Sequence, residues 1–194
     1  MANLLKVNGI TREFETLIGA DLHEVDLSRN NLSNKDLHSA DLHGTILIGA
    51  NLSGANLVNS DLRDAILIGT SLTSADLHGS ILVGTDLRGA DLAGANLTNA
   101  NLTRANLANA DLHGTILIGA ILINANLTNA NVNYSAWPLW AGSRGVKVDA
   151  RIAAQLAAHF CALDCDDPSF IAAREALLPF ARTSHRAHDL GLKD

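Results

Sequence analysis

Leucine returns at every fifth position from Leu17 to Leu127 without a gap, and Val132 continues the series with one conservative change. A helix repeats every 3.6 residues and a strand every 2, so neither can keep such a set on one side. The spacing demands a chain that turns a corner once per five residues, and four corners close a square of twenty residues per coil. Two places before the leucine stands a small side chain in most turns, as in Ala20, Ala40, Thr45, Ala50, Ala55, Ser60 and Ala65, usually with Asp or Asn between them. The last place of the five is mostly Gly or Asn, as in Gly44, Gly49, Gly54, Asn59, Asn99 and Asn109, residue types that tolerate a positive φ. Leucine and its small companion then point inward and the other three positions face solvent. Aromatics make up only 4% of the chain, which suits a narrow interior filled by Leu, Ala and Ile.

Two of these units, Ala40-Asp41-Leu42-His43-Gly44 and Ala105-Asn106-Leu107-Ala108-Asn109, show the full pattern. From about Glu15 to Tyr134 the chain resembles the pentapeptide-repeat family on that pattern. The resemblance implies an all-β solenoid, a right-handed quadrilateral β-helix of about six coils and roughly 29 Å at the spacing of neighbouring strands. Residues 1–14 are expected to form an N-terminal cap, 15–135 the solenoid and 136–194 a C-terminal cap with an α-helical hairpin. Ala2-Asn3-Leu4-Leu5-Lys6 reads as one more pentapeptide, out of register with Leu17. Glu15 and Lys35 occupy inward positions twenty apart, where a lone charge would be costly, and are expected to pair.

In the tail, Trp137, Pro138, Leu139 and Trp140 are suited to covering the last coil. Asp149 is placed to cap a helix with Ile152, Leu156, Phe160 and Leu163 on one face, and Asp167-Pro168 to start a second carrying Phe170, Ile171, Leu177 and Leu178.

A twenty-residue coil allows outward columns to be written down. Asp21, Asp41 and Asp61 stack as an acidic stripe, with His23, His43 and Arg63 in the column beside them. Metal held by His23 and His43 with an Asp needs closer convergence than a flat ladder offers, so no metal is expected. Ile46, Ile48, Ile66 and Ile68 break the polar pattern on one face and form a candidate partner surface. Ile116, Ile118, Ile121 and Ile123 do the same in the last coils, where covering by the tail is the simplest role. The pair Cys161/Cys165 with His185 and His188 has imperfect zinc spacing and reads as ordinary buried cysteines with mobile histidines.

The case for catalysis is negative. The glycines recur as corner residues and form no phosphate loop, and five of the histidines, at 23, 38, 43, 78 and 113, fill one outward slot of the repeat. No cofactor is expected. The first reading is a non-enzymatic scaffold contacting a protein partner or a second copy of itself, with a homodimer as one form. The alternative, implied by the resemblance because some members protect DNA gyrase by imitating duplex DNA, is an acidic mimic acting on gyrase or a topoisomerase. Between Glu15 and Ser135 acids outnumber bases 12 to 5. Duplex DNA carries a charge every ~1.7 Å, so this density is under half of what mimicry copies. The charge sign disfavours direct nucleic-acid binding. No apolar stretch reaches the roughly 20 residues of a membrane span, and the opening residues lack a signal-peptide pattern, so a cytoplasmic setting is expected.

Overall fold

The structure is a computed structural model that describes residues 3–133, 135–136, 146–161 and 168–184. It divides into two units, 1–147 and 148–194.

The first unit opens with an antiparallel hairpin, β1 (Asn3–Val7) and β2 (Ile10–Phe14). Asn8 and Gly9 connect the strands with φ of 50° and 80°. Positive φ at both central residues is the two-residue turn whose twist matches a hairpin, and Asn-Gly is its preferred sequence. The segment read as a displaced pentapeptide is therefore a strand. It is fastened to the first coil by side-chain amides: Lys6 N–H donates to Asn30 Oδ1 and Asn30 Nδ2 to Lys6 O, both at 2.8 Å, while Asp26 N–H donates to Asn8 Oδ1 at 2.7 Å. Leu5 and Val7 of β1 are buried. The expected Glu15–Lys35 pair is not among the ion pairs between described residues. Glu15 is exposed, so the desolvation that would have demanded a partner does not arise.

Parallel bridges join residues twenty apart, as in Asp21↔Asp41↔Asp61 and Ile46↔Ile66, which is one coil per twenty residues. In the middle coils four of the five N–H groups in a repeat are held by backbone carbonyls. For the repeat around Leu42, Leu42 N–H donates to Asp61 O at 2.7 Å and Gly44 N–H to Arg63 O at 2.9 Å, both one coil on. Thr45 N–H closes the corner onto Leu42 O at 3.1 Å, and Asp41 N–H donates back to Ala20 O at 2.9 Å. The corner residue carries φ near +60°, as at Gly44 (64°), Asn59 (56°) and Asn99 (58°), which makes each corner a type II turn. Even Arg29 and Arg104 are held at φ 60°.

The leucine column from Leu17 to Leu127 is buried throughout, at 2% exposure or less, and fills the tube with the small residues. Hydroxyls at the small-residue position are buried but bonded. Thr45 Oγ1 donates across the coil gap to Leu22 O at 2.6 Å, whereas Ser60 Oγ reaches only its own corner, Leu57 O at 2.7 Å. Pairing continues to Ala136, bridged to Ile116, and to Lys147, bridged to Asn126.

In the second unit Asp149 Oδ1 accepts Ile152 N–H at 2.9 Å, the N-cap bond of α1 (Ala150–Cys161). Helix α2 (Pro168–Ala181) begins with proline, where the missing N–H has no helical acceptor to lose, and it packs on α1. Arg174 Nε donates to Cys161 O at 2.7 Å across the pair. Apolar residues of α2 stay partly open: Ile171, Leu177 and Phe180 are about two-fifths exposed, at 40, 38 and 41%. One neighbouring helix covers only part of the circumference on which these residues are spread. Leu163 and the Trp137 to Trp140 segment lie outside the described residues.

Candidate functional site

In the middle coils backbone bonding leaves one N–H per repeat, that of the residue after leucine, and where Asp or Asn stands two places before it that side chain meets it. His43 N–H donates to Asp41 Oδ1 at 3.0 Å, Thr98 N–H to Asn96 Oδ1 at 3.1 Å and His113 N–H to Asp111 Oδ1 at 2.9 Å. Asp or Asn recurs outside each coil because only an oxygen on a short side chain reaches that donor. Asparagine adds a second rung. Its amide donates to the carboxylate one coil earlier: Asn56 to Asp36 at 2.9 Å, Asn96 to Asp76 at 3.0 Å and Asn131 to Asp111 at 2.9 Å.

The acidic stripe has no such amide. Asp21 bridges to Asp41 and Asp41 to Asp61, so carboxylates stack directly. Like charges about 4.8 Å apart in water repel by roughly 0.9 kcal/mol. Asp61 is answered by Arg63, whose Nε donates to both carboxylate oxygens at 2.9 Å, and that hydrogen bond holds the Asp61 carboxyl below its ordinary range. His23 Nδ1 bonds Asp21, which lowers the Asp21 pKa and raises that of His23. His43 turns to Asp64, its Nε2 lying 3.7 Å from Oδ2. The stripe ends at Ile81, which bridges to Asp61 in the same column. The structure also corrects the flat-ladder premise. With the His23 ring folded back to Asp21, donor atoms of Asp21, His23 and Asp41 all lie within 4.8 Å of one another.

Ile46 and Ile66 replace the Asp/Asn, so the bond to the N–H of Ile48 and Ile68 cannot form. The four are brought together as expected, since Ile46 bridges to Ile66. Ile48 is 42% exposed and the other three are half-buried. Sequence reasoning missed a further turn of this kind, Ile81 and Val83, with Ile81 at 39% exposure. Its signal was the same replacement of Asp/Asn by Ile. In the last coils Ile116, Ile118 and Ile121 are exposed at 40, 59 and 37%, more open as a group than the first patch.

Cys161 is buried, its thiol donates to Arg174 O at 3.7 Å, and desolvation pushes its pKa up, the setting of an inert thiol. Cys165, His185 and His188 lie outside the described residues. Among those described, no helix is long and apolar enough to cross a membrane.

No curated protein matches the chain significantly. Among solved structures it is similar to HetL, a pentapeptide repeat protein involved in heterocyst differentiation regulation in the cyanobacterium Nostoc, at 30% identity over 67% of this chain and 73% of that one, TM-score 0.34. A pentapeptide repeat protein of the Arabidopsis thaliana thylakoid lumen is 38% identical over 54% of this chain and 66% of its own, TM-score 0.32. QnrB1, a plasmid-mediated fluoroquinolone resistance protein, is 19% identical over 68% and 70%, TM-score 0.39. Matches to the family model described as pentapeptide repeats fall at residues 16–44, 36–73, 45–82, 70–107, 80–117 and 105–135, so with its twenty-residue coils and type II corners the chain belongs to the pentapeptide-repeat family.

Proposed function

We propose that this protein is a non-enzymatic scaffold that binds a protein partner, or a second copy of itself, through the apolar facet of Ile46, Ile48, Ile66 and Ile68. One observation carries the reading. Most repeats put Asp or Asn where Ile46 and Ile66 stand and gain a hydrogen bond worth about 0.5–1.5 kcal/mol. Isoleucine there forfeits that bond and places apolar surface outside the coil, a choice that serves contact and not folding. The mimic of duplex DNA is the weaker reading, because Arg63 and His23 answer two of the three stacked acids and the column then turns to Ile81. The scaffold reading keeps the cytoplasmic setting expected from the sequence.

The test is the double variant Ile46→Asn/Ile66→Asn, which restores the side-chain acceptor while making the facet polar. Thermal stability should hold or rise. Self-association in sedimentation, or capture of the partner seen with the unaltered chain, should fall to background. Unchanged association in a folded double variant overturns the reading. Inhibition of DNA gyrase supercoiling by the full chain, abolished by Asp21→Asn/Asp41→Asn/Asp61→Asn, would install the mimic in its place.

A further inference from the structure

The five outward histidines all follow an aspartate by two residues: Asp21-Leu22-His23, Asp36-Leu37-His38, Asp41-Leu42-His43, Asp76-Leu77-His78 and Asp111-Leu112-His113. In three of them the aspartate is engaged by an asparagine amide from the next coil, Asn56, Asn96 or Asn131. The remaining two are stacked on each other, so the residue one coil beyond Asp21 is Asp41 itself, an acceptor with nothing to donate. Arg63 engages Asp61 and His43 leans to Asp64, while the His23 imidazole bonds Asp21 with a carboxylate oxygen of Asp41 within 4.8 Å.

We propose that Asp21, His23 and Asp41 form a binding site for one divalent transition-metal ion, Zn²⁺ by donor preference. One imidazole nitrogen and two carboxylates are a donor set that suits Zn²⁺ and its neighbours better than Ca²⁺ or Mg²⁺, which favour oxygen alone. The reach is right. Ligands about 2.0–2.2 Å from a shared tetrahedral Zn²⁺ stand roughly 3.3–3.6 Å apart, and these donor atoms lie within 4.8 Å of one another. Small rotations of exposed side chains close the difference. The framework is prearranged, because each carboxylate is steadied by a backbone N–H through Oδ1, His23 on Asp21 and His43 on Asp41. Both aspartates therefore face the ion from carbon atoms fixed by the coil ladder. Two carboxylates and a neutral imidazole also match the charge of the ion, which replaces the repulsion of stacked acids with attraction to a common centre. The remaining coordination positions face solvent and would be filled by water.

Calorimetric titration of ZnCl₂ into the untagged full chain tests the site. The unaltered protein should bind one ion there. His23→Ala and Asp41→Asn should each weaken binding at least about tenfold, the lower end of what removing even a second-layer partner costs a metal site. Asp41→Asn suits the fold, since an amide in that slot would donate to Asp21 as Asn56 does to Asp36. His113→Ala, in a repeat whose aspartate already carries the Asn131 amide, should bind as the unaltered chain does, and circular dichroism should show every variant folded. Absence of saturable binding overturns the site. So does full affinity in both His23→Ala and Asp41→Asn, including the case in which binding disappears only from Cys161→Ser/Cys165→Ser and so belongs to the tail.

Discussion

The Oδ1 atom of an outward aspartate receives the one N–H that the coil ladder leaves over, so its charge is secondary to its shape, and asparagine serves equally well. Where asparagine follows one coil after aspartate, its amide can add a rung, as Asn96 does to Asp76. Where the answer comes from within the same turn, the charge matters. Arg88 Nε donates to both oxygens of Asp86, at 2.9 and 3.0 Å, and holds that carboxyl below its ordinary range. A carboxyl depressed in the folded state contributes stability above its unfolded pKa of about 3.8–3.9, and loses it as pH falls through the folded value. Arg88→Met should therefore lower stability slightly at neutral pH, the effect kept small because the pair is solvent-screened. Urea unfolding at a series of pH values should show the gap between variant and unaltered chain closing below the folded pKa. A gap that persists at pH 2 would assign the loss to packing of the arginine stem instead.

The elements that close the chain were less legible than the coils they adjoin, for identifiable reasons. Ala2 to Lys6 imitates the repeat in composition, while the local signal that decides its structure is the hairpin turn of Val7-Asn8-Gly9-Ile10. Asn30 stands in the small-residue position of its repeat, and its side chain is used by β1, which it bonds at Lys6. Asn30→Ala should remove both bonds to Lys6 and lower stability by about 1–3 kcal/mol, as unmet backbone groups do. Hydrogen exchange gives the sharper readout: the Lys6 amide should lose protection while amides in the middle coils keep theirs. Protection of Lys6 unchanged in the variant would mean that burial of Leu5 and Val7 alone secures the hairpin. In the tail, the N-cap at Asp149 and the start at Pro168 were readable because they are local, whereas the exposure of Ile171 and Leu177 depends on how much of α2 one partner helix can cover.

Across the whole solenoid, the leucine period alone gives the coil, since inward residues spaced by five must turn a corner each time and twenty residues return the chain above itself. The columns follow by arithmetic, and the bridges Ile46↔Ile66 and Asp21↔Asp41 fall twenty residues apart as that arithmetic requires. Rotamers do not follow from the period, so the folding of His23 back to Asp21 was invisible. A structure built of repeats that contact mainly their neighbours should tolerate loss of a whole coil and resist loss of a fraction of one. Removing residues 87–106 joins Asp86 to Leu107 with every later residue in its original column, because the ladder already pairs Asp86 with Asn106. That variant should fold, unfold at a lower denaturant midpoint, and keep its Ile46 to Ile68 facet. Removing Leu92 alone instead shifts each later leucine out of the tube by one position and faces its neighbours inward. Circular dichroism and denaturant unfolding should show the single-residue deletion more damaging than the twenty-residue one. The reverse order of stability would mean that the coils are held by something other than the stacked leucines and their carbonyl ladder.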